Sequence, residues 1–89
     1  MKISRNKDII SSELDGEVCL FDPENAYYYN LNQTGSIIWK YIEQPKDFKD
    51  VIQYLISIFN VEKDACILQL KNFVISSNEK NIIDIQEEI

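Results

Sequence analysis

Three acids, Glu13, Asp15 and Glu17, cluster about one turn; Asp8, Asp22 and Glu24 lie near them in sequence; Cys19 and Cys66 are the only thiols. Paired carboxylates can act as general acid and base. Acids beside a turn, on solvent-facing strand positions, ordinarily serve solvation. The chain contains no histidine, so it lacks the commonest base, zinc ligand and catalytic relay. Asp8, Asp22 and Glu24 have neither the spaced oxygen ligands nor the loop glycine of a calcium loop. A reactive thiol needs a base or a helix start to lower its pKa. Cys66 stands near a helix start, but Asp64 beside it opposes ionisation, and both cysteines read as small buried hydrophobes. The reading is a non-catalytic protein with no metal and no cofactor.

At 89 residues the chain has the length of one domain, taken as 1–89 with flexible flanks at 1–8 and 86–89. It is 45% hydrophobic and 27% charged, a globular balance, and can build one core of two packed layers. Nine bases against 15 acids leave a net charge of −6, with a pI near 4.5. That balance argues against a nucleic-acid backbone and against an anionic membrane surface as partners. No CxxC pair or disulfide framework is present, which points to a reducing cytoplasm. The N-terminus carries no apolar signal region, and Val51 to Phe59 is too short to span a bilayer.

The first half of the chain has the period of strands. Ile9–Leu14 and Glu17–Phe21 flank Asp15-Gly16, a strong signal for a two-residue hairpin turn. Asp22-Pro23-Glu24-Asn25 is a turn, and Ala26–Leu31, with Tyr27-Tyr28-Tyr29, is a third strand. The simplest arrangement is a three-stranded antiparallel meander. The second half has the period of helices. Asn32 caps a first helix through Ile37, Ile38, Trp39, Tyr41 and Ile42, and Gly35 in its first turn signals close packing. Pro45 breaks it. Asp47 caps a second helix with Phe48, Val51, Ile52, Leu55 and Phe59 on one stripe, and Asn60 stops it. A third helix runs from Glu62 or Lys63 to Ser77 or Asn78, with Cys66, Leu70, Phe73, Val74 and Ser77 inward. The fold class is α+β: the meander followed by three helices. Ile82 to Ile85 either closes the sheet or docks.

Two features remain unabsorbed. The third strand of a meander pairs only with the second, and Ala26-Tyr27-Tyr28-Tyr29-Asn30 carries no proline or charge to blunt its free edge. The third helix has apolar surface beyond its core stripe, with Ile67, Leu68, Lys71 and Ile75 fanning out on one flank. A wide core stripe accounts for that flank equally well. Edge and flank together fit an extended peptide added as a strand, unless the C-terminal segment or a second copy covers the edge.

Two stretches resemble the PqqD-like family: Glu13-Leu14-Asp15-Gly16-Glu17-Val18-Cys19-Leu20-Phe21-Asp22-Pro23, and Tyr28-Tyr29-Asn30-Leu31-Asn32-Gln33-Thr34-Gly35-Ser36-Ile37-Ile38-Trp39. The downstream spacing also fits, with a break at Pro45, the helix from Phe48 to Phe59, Val61 and a long third helix, and the similarity covers the chain from about Ile9 to Ile83. Asn81-Ile82 stands where the family usually has glycine before leucine or isoleucine, and Ser77 replaces a usual core leucine. The resemblance implies a winged helix-turn-helix-like fold and a recognition element, or peptide chaperone, for the biosynthesis of ribosomally made, modified peptides. It implies that the leader segment of a precursor peptide binds between the third strand and the third helix and is delivered to a modifying enzyme or leader peptidase. By position, the strand side is Ala26, Tyr27, Tyr28, Tyr29 and Asn30. The helix side, assigned from the helical wheel, is Ile67, Leu68, Lys71 and Ile75.

Two other classes compete. A winged-helix nucleic-acid binder would carry a basic recognition helix; from Glu62 to Lys80 there are three lysines and three acids, 3 − 3 = 0. A self-associating scaffold would use the open edge between copies.

Overall fold

The computed structural model describes residues 1–87 and is α+β, with six strands in two antiparallel sheets and three helices. Strand β1 is Lys2–Arg5, β2 Ile10–Leu14, β3 Glu17–Asp22 and β4 Tyr27–Asn30. Helix α1 is Gln33–Tyr41; the two-residue strand β5, Lys46–Asp47, leads into α2, Phe48–Ile58; α3 is Lys63–Glu79 and strand β6 is Ile83–Gln86. One sheet has the order β2-β3-β4 and the other β5-β1-β6.

The first hairpin follows its turn chemistry. Asp15 and Gly16 both have positive φ, 54° and 84°, as a two-residue turn of the I′ kind requires. On β3, Val18, Leu20 and Asp22 are buried, whereas Glu17, Cys19 and Phe21 face outward. The helices close over the inner face with the stripes their spacing predicts. Ile38 and Trp39 of α1 are buried, as are Val51, Ile52 and Leu55 of α2 and Cys66, Leu70, Val74 and Ser77 of α3. Asp47 caps α2 through Oδ1, which accepts from the Lys49 N–H at 3.4 Å.

The second sheet goes beyond the one-sheet reading. β1 pairs with β6 from Lys2↔Gln86 to Arg5↔Ile83, and with β5 on its other side. Ile3 is the only apolar residue of β1 and is fully buried, too little for any visible period. Arg5 ties this sheet to α1: its Nε and Nη2 donate to the Trp39 carbonyl at 2.9 and 2.6 Å, and its guanidinium lies 4.7 Å from the Trp39 ring centroid. Lys2–Arg5 and Gln86 are therefore strand residues where the sequence reading has flexible flanks; residues 88 and 89 lie outside the described residues. The Ile82–Ile85 segment closes a sheet, but with β1 and not with the meander.

Candidate functional site

β4 is an edge strand, and its hydrogen-bond phase decides which of its main-chain groups are free. Leu31 N–H donates to the Val18 carbonyl at 2.9 Å. Antiparallel ladders alternate hydrogen-bonded and non-bonded pairs. Along the register Leu20↔Tyr29, Phe21↔Tyr28 and Asp22↔Tyr27, the main-chain groups of Tyr27 and Tyr29 therefore face β3. Those of Tyr28 and Asn30 turn outward. The phase is consistent with the neighbouring hairpin, whose two-residue loop makes Leu14↔Glu17 a bonded pair. Because β6 pairs with β1, the C-terminal strand does not cover this edge.

Ala26 stands just outside the strand. It takes a positive φ of 58° in the preceding turn, where the sequence reading has it beginning the strand. The cause is Asp22. Its Oδ1 accepts from the Glu24 and Asn25 N–H groups at 3.0 and 3.3 Å, and its Oδ2 accepts from Asn25 Nδ2 at 2.9 Å. These bonds wind the chain tightly before pairing begins at Tyr27. The side-chain bond from Asn25 is the largest influence holding the Asp22 carboxyl below its ordinary pKa; burial opposes it and the two backbone bonds assist it.

Past the other end of β4, Asn32 caps α1, its Oδ1 accepting from the Gly35 N–H at 2.8 Å. Ser36 is fully buried, and its hydroxyl accepts from the Val18 N–H at 2.9 Å and donates to the Leu31 carbonyl at 3.3 Å. That hydroxyl stands between the two groups that would otherwise complete the last β3–β4 rung, and so splices α1 into the sheet. Gly35 packs tightly against α3: a Cβ there would meet Phe73 Cε1 at 3.1 Å and Asn32 Oδ1 at 3.2 Å. A cavity of about 410 Å³ opens beside this contact, with Asn32, Gly35, Ile38, Leu55, Leu70 and Phe73 among its lining. Cys66 also lines it, and burial pushes that thiol's pKa up, as expected of a structural cysteine.

α3 approaches β4 and α1 through Phe73 and Lys80. The Lys80 ammonium lies 5.4 Å from the Tyr29 ring centroid. Carrying the helix's roughly 100° per residue on to its C-cap, Phe73 and Lys80 lie within about 20° of one another around the axis. Ile67, Leu68, Lys71 and Ile75 each lie at least about 120° around from both. The structure thus sets Phe73 against Gly35 and, separately, Lys80 over Tyr29, and the other four lie on a different flank. Leu68 and Ile75 are 61% and 54% exposed there, Lys71 is exposed and Ile67 half-buried. The helical wheel separates faces but does not say which flank meets which neighbour. The signal that points to Phe73 is Gly35, a glycine in a helical first turn that calls for a bulky partner.

The remaining chemistry-bearing residues form no centre. Glu13 pairs with Lys40 at 2.9 Å on the surface, and no group of three metal-ligating side chains occurs among the described residues. Cys19 and Cys66 are both free. No described helix is long and apolar enough to cross a membrane.

Among curated proteins, none matches the chain. Two solved structures share its fold. One, described as "TbiB1 in Complex with the TbiA(beta) Leader Peptide", superposes with a TM-score of 0.88 at 20% identity, covering 96% of this chain and 99% of that one. The other, described as "Lasso peptide synthetase B1 complexed with the leader peptide", gives 0.82 at 23% identity, covering 93% and 98%. A family model also matches residues 17–83, a span running from the start of β3 through α3 to Ile83 and holding the β4 edge, the Asn32 cap, Gly35 and Phe73. On that match, the chain belongs to the family described as Coenzyme PQQ synthesis protein D (PqqD).

Proposed function

We propose that this chain is a non-catalytic recognition element that binds the leader segment of a ribosomally made precursor peptide as a strand added to β4, beside α3. It presents that peptide to a modifying enzyme or leader peptidase. The observation that carries the reading is the open β4 edge, with the main-chain groups of Tyr28 and Asn30 turned outward and the C-terminal strand engaged elsewhere. Family membership and the two structural neighbours, both described as leader-peptide complexes, support it. The fold is read as winged helix-turn-helix-like. The site of action is the cytoplasm, where ribosomal precursors are made.

The mechanism follows from the geometry. The N–H and C=O groups of Tyr28 and Asn30 offer four main-chain bonds, each contributing about 0.5–1.5 kcal/mol net. Those bonds are nearly blind to sequence, and ordering a free peptide costs about 2–5 kcal/mol. Side chains must therefore supply both affinity and choice. Those facing inward from the added strand meet Tyr29 and the Phe73–Lys80 face of α3. A peptide continuing past Leu31 reaches the cavity beside Gly35, where burying about 100 Å² of apolar side chain adds roughly 2.5 kcal/mol. The balanced charge of α3 and the net charge of −6 do not favour the nucleic-acid reading.

The test is an anisotropy titration of labelled leader peptides encoded beside this chain's gene. Saturable binding that Phe73→Ala weakens supports the site. A folded protein that binds no such leader overturns the reading and favours self-association through the edge.

A further inference from the structure

This inference rests on β4 being the peptide-docking edge and concerns which peptides that edge selects. Lys80 follows the last residue of α3, and its ammonium is held over the ring of Tyr29 at 5.4 Å from the centroid. No carboxylate among the described residues pairs with it. Tyr29 sits opposite Leu20, whose side chain is fully buried, so its own side chain lies on the inner face of the sheet. On an added strand, each side chain shares the face of the residue opposite it. The peptide residue opposite Tyr29 therefore points inward, next to the Lys80 ammonium, while its neighbours opposite Tyr28 and Asn30 point to the outer face.

We propose that Lys80 is a specificity-determining residue that selects an acidic side chain at the peptide position opposite Tyr29. The contact with the ring keeps the ammonium in place before the peptide arrives, which reduces the ordering needed on binding. The rest of the chain strengthens the choice. With a net charge of −6, and with Asp22 and Glu24 at the far end of β4, an acid elsewhere on the peptide meets like charge. An acid opposite Tyr29 meets the Lys80 ammonium. Charge thereby sets register as well as affinity, which main-chain pairing alone does not.

The test pans a phage-displayed library of random dodecapeptides against the wild-type protein and against Lys80→Glu. One synthetic binder is then titrated carrying Glu, Gln or Lys at the enriched position. The wild-type protein should prefer Glu over Gln by about two- to five-fold and Gln over Lys, with the differences shrinking in high salt. Lys80→Glu should reverse that order at the same position. An order unchanged between the two proteins overturns the proposal. If Tyr28→Pro abolishes binding while the charge order ignores Lys80, the edge reading stands and this inference alone falls. If neither protein enriches any peptide, both fall.

Discussion

Leu31 donates its backbone N–H to the Val18 carbonyl at 2.9 Å, and this bond turns the free groups of Tyr28 and Asn30 away from β3. The return bond of that rung does not run directly. The Ser36 hydroxyl accepts from the Val18 N–H and donates to the Leu31 carbonyl, so a helix side chain completes the sheet at the end of its edge strand. Ser36→Ala leaves a buried N–H and a partly buried carbonyl without that partner, at a cost of about 1–3 kcal/mol. Thermal denaturation should show a Tm lower by roughly 5–15 °C. An unchanged Tm would mean that the strands close directly and that the hydroxyl is dispensable.

Leu68 and Ile75 distinguish the two flanks of α3. Both are exposed and lie far around the helix from Phe73 and Lys80. Leu68→Glu and Ile75→Glu should keep leader affinity within about two-fold of wild type, whereas Phe73→Ala should weaken it about ten-fold or more by removing apolar contact. Abolition of binding by Leu68→Glu, with the fold intact, would return the groove to the flank that the helical wheel first suggested.

Asp22 gives a pH dependence of defined sign. Hydrogen bonds from Asn25 and Glu24 lower its folded-state pKa below the ordinary carboxylate value of about 3.9. A lowered folded pKa contributes stability that is fully present above the unfolded value and is lost as pH falls through the folded value. The Tm advantage of wild type over Asp22→Asn should be constant near pH 6 and shrink below about pH 4. An advantage that grows on acidification would contradict the sign.

The two thiols should differ in reactivity. Cys66 is 5% exposed and burial raises its pKa, while Cys19 is half-buried on the outer face of β3. Mass spectrometry of an iodoacetamide time course at neutral pH should show Cys19 alkylated first, with Cys66 reacting only as the fold opens. Equal rates would mean that the cavity beside Gly35 admits reagent to Cys66.

What could be read from the sequence was local. Asp15-Gly16 announces its hairpin because two left-handed residues are needed there, and Asn32 announces α1 because its side chain supplies a missing acceptor. The stripes of α2 and α3 follow from period alone. β1 and β6 depend on each other across nearly the whole chain: β1 has one apolar residue and shows no period, and the short alternation of Ile83 and Ile85 does not name its partner strand. Ala26 reads as strand from sequence, but the turn built on Asp22 extends one residue past Asn25 and takes it in. The proposed strand side rests on one argument in sequence and structure alike, that β4 pairs only with β3. The proposed helix side depends on which flank of α3 lies toward β4 and α1, and the contacts of Phe73 with Gly35 and of Lys80 with Tyr29 are what a helical wheel does not contain.

Tyr28→Pro tests the central claim most directly. Its N–H makes no bond to β3, and proline is tolerated on the open side of an edge strand, so the fold should survive. Proline nevertheless removes an outward donor and places its ring on the docking edge. Titrated with a leader peptide encoded beside this chain's gene, the wild-type protein should bind saturably, and Tyr28→Pro should lose binding with little change in Tm. Wild-type affinity in a folded Tyr28→Pro protein would contradict strand addition at β4.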